Sequence, residues 1–139
     1  MSTERAANVE DLRRMARRRL PKAVFDFVDG GAQDERTLAA NCADFAAIRL
    51  MPRQLVDVSR RRMGVRVLGQ DLALPIVLAP TGLTGMFGRG GEVAAERAAS
   101  AVGAGYCLST MATTSIETLA QTARGFWFQL YVQRDRAVT

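Results

Sequence analysis

Residues 75–110 read PIVLAPTGLTGMFGRGGEVAAERAASAVGAGYCLST. A short apolar run, IVLAP, gives way to a glycine-rich loop, then to EVAAERAASAVG with a helical pattern, then to a second short run, YCLST. The same rhythm continues downstream, where SIETLAQTA reads as a helix and FWFQLYV as a third strand. Runs of this length suit strands buried on both faces, and an intervening helix carries the chain back to start a parallel neighbour. The alternation predicts parallel strands with crossover helices, in an open doubly wound sheet or in a barrel. A (β/α)8 barrel takes about 250 residues, so on the barrel reading this chain of 139 residues stops before the halfway point.

The loop itself carries Gly82, Gly85, Gly88, Gly90 and Gly91 just ahead of a helix. That arrangement can hold an anion, because bare backbone N–H groups converge on a positive helix end. Neither nucleotide fingerprint fits, however. No G-x-x-x-x-G-K-[ST] is present, and Gly88 and Gly90 are followed by Val93 where G-x-G-x-x-G needs its third glycine.

Upstream of the strands, Asn8 with Glu10 and Asp11 marks a helix start, and Pro21 ends that helix. A second short helix, KAVFDFVD, is stopped by Gly30 and Gly31. A third begins near Asp34 and Glu35, acidic groups that suit a helix N-terminus, and places Leu38, Cys42, Phe45 and Ala46 at helical spacing. After the connecting segment MPRQLVDVSRRR, GVRVLGQDLALP reads as a small hairpin, Val65 and Val67 facing Leu72 and Leu74 across a turn containing Gly69 and Asp71. Thr114 with Glu117 three residues on suggests a capping box for SIETLAQTA. The expected organisation of residues 1–139 is a helical lead-in (1–50), a hairpin (64–75) and the first barrel strands and helices (76–139).

Composition narrows the chemistry. The hydrophobic fraction of 48% with 24% charged residues is that of an ordinary soluble domain. The N-terminus carries charges where a signal peptide would be apolar, and nothing approaches the ~20 apolar residues of a membrane span, so the expected location is cytoplasmic. Cys42 and Cys107 lie far apart without companion histidines, which suggests buried thiols and no metal site. The net charge of +5 comes from 18 Arg and one Lys, densest in RRMARRRL at 13–20. On a helical wheel Val9, Leu12, Ala16 and Leu20 share one face and most of the arginines lie away from it, the pattern of a solvated face rather than of a nucleic-acid binder. There is no histidine at all, so any reaction needing an imidazole base cannot be completed by this chain alone.

Six stretches, in order, resemble the FMN-dependent 2-hydroxy acid dehydrogenase and oxidase family, which includes glycolate oxidase, L-lactate dehydrogenase and mandelate dehydrogenase. They are LPKAVFDFVDGGAQDE at 20–35, PRQLVDVS at 52–59, LGQDLALPIVLAPTGLTGM at 68–86, GE and the alanine-rich helix from 91, LSTMATTSIE at 108–117, and WFQLYVQRDR at 127–136. RQLVDVSRR and PTGLTG look closer to the mandelate and lactate dehydrogenases than to the plant-type oxidases. The resemblance implies an α/β fold, an incomplete (β/α)8 TIM barrel with a helical lead-in, a small hairpin and about three βα units, and FMN as cofactor.

By the same resemblance, Pro80, Thr81 and Gly82 match the segment whose backbone approaches the flavin ring. Ser109 matches a serine that hydrogen-bonds the flavin, Gln129 an amide that reads the ring's polar edge, and Tyr131 a tyrosine that contacts the substrate. Residues two apart on a strand point the same way, which suits Gln129 and Tyr131. Side chains such as Met111 take part in substrate size selectivity. Phe27 stands where the family usually has a tyrosine whose hydroxyl helps hold the substrate carboxylate, so it is not counted as a ligand.

The family's catalytic histidine, its substrate-binding arginine and its flavin-side lysine lie in later parts of the barrel. The expectation is therefore an amino-terminal portion, inactive alone, of an enzyme that oxidises an L-2-hydroxy acid, lactate- or mandelate-like, to the 2-oxo acid. No catalytic residue is expected within it, and the phosphate end of FMN is expected to bind elsewhere. The full-length protein is expected to be a homo-oligomer, without a membrane span here and with peripheral attachment to the inner membrane left open. Two alternatives stand beside this one: one half of a split barrel completed by another chain, and a non-catalytic remnant or binding module.

Overall fold

The computed structural model describes residues 6–138, and the chain divides into two compact units meeting between Val58 and Ser59. The first holds three helices, α1 (Val9–Arg19), α2 (Lys22–Asp29) and α3 (Arg36–Ala47). The α1 start is doubly capped: the Asn8 side chain accepts from Asp11 N–H at 2.9 Å, and the Asp11 carboxylate accepts from Ala7 N–H at 2.9 Å. Arg13 reaches across to α2 and grips Asp29 through two bonds of 2.5 and 2.8 Å, while Arg14 pairs with Asp11. Part of the arginine run is thus occupied by the chain's own acids.

Burial in this unit departs from the helical-wheel expectation. Met15 is the buried residue of α1, whereas Val9, Leu12, Ala16 and Leu20 line an open apolar groove with Phe25 and Val28. A wheel gives the direction of an apolar face but not which neighbour arrives to cover it. The same holds for α3, which has no buried residue: Phe45 is 80% exposed, and Cys42, expected to be buried, is exposed. Its first turn also differs, because Glu35 sits in the left-handed region at φ 56° and turns its carboxylate back onto Gly31 N–H at 3.0 Å instead of capping the helix.

The second unit opens with a hairpin, β1 (Val65–Val67) against β2 (Gln70–Leu72). Val65 pairs with Leu72 and Val67 with Gln70, so the turn is Leu68–Gly69, both at positive φ as a type I′ hairpin turn requires. Asp71 is not in the turn but stands in β2 opposite Arg66. Three parallel strands follow in the order β3 (Val77–Leu78), β4 (Gly105–Ser109), β5 (Trp127–Gln129), joined by α4 (Gly91–Ala101) and α5 (Ile116–Ala120). Tyr106 and Leu108 of β4 project onto the helices, where Ala99 and Leu119 complete a small core with Val93 and Phe126. The segment after the hairpin docks at the start of β4, where Ala73 N–H and Leu74 N–H both donate to Gly103 O. Gly103 has φ +70° and a Cβ there would lie 2.5 Å from that of Ala73, so only glycine fits.

One expected cap is displaced by a residue. α5 is capped by Ser115, whose side chain accepts from Thr118 N–H at 3.1 Å, and not by Thr114 with Glu117. Thr114 is engaged elsewhere, as described below. Among the described residues no helix is long and apolar enough to cross a membrane.

Candidate functional site

The residues singled out from the sequence collect at one end of the parallel sheet. Pro80, Thr81 and Gly82 follow the last residue of β3, Ser109 is the last residue of β4, and Gln129 is the last of β5. Ser109 and Gln129 are direct cross-strand partners. Side chains alternate along a strand, so with Tyr106 and Leu108 facing the helices, Ser109 and its partner Gln129 lie on the opposite face. Tyr131 falls two residues beyond β5 and is 52% exposed. Phe27 lies in the helical unit, on α2, and is 67% exposed. Cys107 shares the Ser109 face, and burial pushes its thiol up, away from the reactive thiolate.

Bonds around this rim are specific. Ser109 is buried and its Oγ accepts from Met111 N–H at 3.1 Å. Thr110 N–H donates to the Gln129 side-chain oxygen at 3.3 Å, the Thr110 hydroxyl donates to Gln129 O, and Tyr131 N–H donates to the Thr110 Oγ1 at 3.1 Å. Thr81 bonds locally, its hydroxyl donating to Ala79 O at 3.3 Å. Gly82 abuts β4's exit: Leu83 N–H donates to Met111 O at 2.9 Å, and a Cβ on Gly82 would come within 2.9 Å of the Met111 Cβ. Within this chain the clearance at Gly82 is therefore set by Met111.

The glycine-rich loop is also accounted for. Gly90, at φ +84°, is the N-cap of α4, and the anion in that helix's first turn is the chain's own Glu92. Its carboxylate has no solvent exposure and accepts from Thr113 N–H at 2.7 Å, from the Thr113 hydroxyl at 2.8 and 3.0 Å, and from the Thr114 hydroxyl at 2.9 Å. Burial by itself pushes this carboxyl up, but the Thr113 N–H and the hydroxyls outweigh it and hold the group at about 2. The buried Thr84 hydroxyl, without a well-formed hydrogen bond of its own, adds to the same field. Thr113 Oγ1 in turn accepts from Gly85 N–H at 3.1 Å, tying the loop to the β4–α5 connection. The loop's own N–H groups are spent within the chain, Gly85 on Thr113 and Met86, Phe87, Gly88 and Gly91 on loop carbonyls, rather than turned to an outside anion.

Neither Glu92 nor Thr110 was singled out from the sequence. The available signal was an acidic residue in the first turn of a helix together with the hydroxyl-rich segment Thr113–Ser115, which becomes meaningful only once the two are brought side by side. A groove of about 590 Å³ opens at the opposite end of the sheet, lined by Asp71, Glu96, Ser100, Gly103 and Arg124 among others. Active sites of parallel α/β barrels form at the carboxyl ends of the strands, so this groove is not the candidate site.

Comparison with known proteins gives the family and the fold. Residues 16–139 match the sequence model of the family described as FMN-dependent dehydrogenase. The chain is 50% identical over 131 residues to an L-lactate dehydrogenase of Caulobacter vibrioides (strain NA1000 / CB15N), covering 94% of this chain and 34% of that protein. An L-lactate dehydrogenase of Pseudomonas syringae pv. syringae (strain B728a) is 46% identical with the same coverage. Among solved structures, the monotopic membrane protein (S)-mandelate dehydrogenase superposes with a TM-score of 0.86 at 44% identity, covering 96% of this chain and 36% of that one. Mandelate oxidase with (S)-4-hydroxymandelic acid superposes with a TM-score of 0.89 at 35% identity, covering 95% and 37%. The chain spans about a third of the length of the relatives it matches, and its fold is a partial TIM barrel. With that fold, and with a family match running from the first helix to the last residue, the chain belongs to the FMN-dependent dehydrogenase family.

Proposed function

We propose that this chain supplies the first three strands of a barrel that oxidises an L-2-hydroxy acid, lactate- or mandelate-like, to the 2-oxo acid. The observation that carries the reading is the convergence of Pro80–Gly82, Ser109 and Gln129 at the carboxyl ends of three adjacent parallel strands, with Ser109 and Gln129 on the face turned away from the helices. FMN, when bound, supplies a two-electron acceptor. The residues present fit its ring end: a buried hydroxyl at Ser109, an amide at Gln129 and backbone at Pro80–Gly82 with no bulky side chain at Gly82.

In this reading Ser109 and Gln129 orient the ring by hydrogen bonds, Gly82 allows close backbone approach, and the exposed Tyr131 phenol donates to the substrate carboxylate. Phe27 adds no hydrogen bond to that carboxylate. The proton on the substrate hydroxyl or its carbon needs a base, and with no histidine in the chain that base comes from outside it. The isolated chain is accordingly inactive. The organisation follows the same lines, with residues 1–50 as lead-in, 64–75 as hairpin and 76–139 as the first barrel units.

A reconstitution tests this. The chain is mixed with the part of the Caulobacter L-lactate dehydrogenase that it does not match, FMN is added, and dye reduction is followed with L-lactate and with (S)-mandelate. Turnover that requires both pieces supports the proposal. A well-folded, FMN-loaded mixture that oxidises neither acid contradicts it.

A further inference from the structure

We infer that Thr110 is a positioning residue that sets both the placement of the β5 exit and the sense of the Gln129 amide, which it pins by the oxygen. This rests on the flavin reading above and extends it. The β4–β5 ladder ends at the pair Ser109 and Gln129. Beyond that point Thr110 takes over: its hydroxyl donates to Gln129 O and accepts from Tyr131 N–H at 3.1 Å, holding the main chain on either side of Leu130.

Its backbone contributes separately. Thr110 N–H can only donate, so the group it meets in the Gln129 side chain, 3.3 Å away, must be the carbonyl oxygen and not the NH2. An amide pinned by its oxygen directs its two N–H bonds elsewhere. Its oxygen keeps a second lone pair, so the pinned amide offers a ligand edge both donors and an acceptor, in a fixed order. One residue thus couples the group that reads the ring to the Tyr131 segment.

The test compares Thr110→Val, which keeps the shape and loses the hydroxyl, with Thr110→Ser, which keeps the hydroxyl, in the whole chain. Two readouts are taken: amide hydrogen exchange at Tyr131 with Leu108 as the core reference, and binding of lumiflavin, the ring without phosphate, by fluorescence anisotropy. For Thr110→Val, exchange at Tyr131 should rise and lumiflavin affinity fall by about tenfold each, the worth of one or two neutral hydrogen bonds. Thr110→Ser should behave as the unaltered chain, and Leu108 should stay protected in both.

Unchanged Tyr131 exchange in Thr110→Val overturns the clip itself. Faster exchange with unchanged lumiflavin affinity overturns the positioning role. Absence of lumiflavin binding by the unaltered chain, with Tyr131 protected, counts against the flavin reading and so against the ligand assignment for Gln129.

Discussion

The buried carboxylate of Glu92 offers the sharpest quantitative expectation. Its folded value of about 2 lies below the ordinary 4.5. Each unit of difference is worth ~1.4 kcal/mol, so ionised Glu92 stabilises the fold by about 3 kcal/mol. Because the folded value is depressed, that stabilisation is fully present above pH ~4.5 and is lost as pH falls towards ~2. Glu92→Gln retains the shape and one acceptor but removes the charge that strengthens the bonds from Thr113 and Thr114. Urea unfolding of both forms, followed by Trp127 fluorescence, should show the variant weaker by about 2–3 kcal/mol at neutral pH. The gap should close between pH 5 and pH 2. Other carboxylates titrate in the same range, but they do so in both forms and cancel in the difference. A gap that stays constant across that range would refute the argument that a charged Glu92 holds the loop.

Three further expectations follow from particular contacts. Gly82→Ala brings a Cβ to 2.9 Å from that of Met111 and should cost about 1–3 kcal/mol; Met111→Gly should restore part of the loss, while Met111→Ala, which keeps the offending Cβ, should not. Ser115→Ala removes the α5 cap and should cost about 1 kcal/mol in the same unfolding assay, and an unaltered midpoint would return the cap to Thr114. Among the described residues the outer strands β3 and β5 each have an unpaired edge, and Ile76, Phe128 and Leu130 are 54%, 41% and 50% exposed. Open edges beside apolar surface favour association, so sedimentation velocity should show concentration-dependent oligomers, and a single monomeric boundary at all concentrations would contradict this.

Much of the local structure was legible in the residues. Asn8, Pro21 and Gly30 bound the first two helices because caps and breakers act within a few residues, and the apolar runs at 76–80, 106–110 and 126–132 mark the parallel strands, although β4 alone of the three is mostly buried. The resemblance then brought Pro80–Gly82, Ser109 and Gln129 to notice, and the sheet puts them at one rim. Where the reading went astray, a distant partner decided the matter. Thr114 was expected to cap α5, but Glu92, about twenty residues earlier, captures its hydroxyl and leaves the cap to Ser115. Cys42 and Phe45 have the periodicity of a buried stripe and no neighbour to cover it among the described residues.

The same distinction answers what the glycine-rich loop does. By itself the sequence determined that a flexible, N–H-rich turn precedes α4, since glycine's conformational freedom is a property of the residue. Only the tertiary structure decided which anion sits there. The choice of Glu92, bound by Thr113 and Thr114 from beyond β4, and likewise the pinning of the Gln129 amide oxygen by Thr110, depend on groups that meet only when parallel strands bring their ends together.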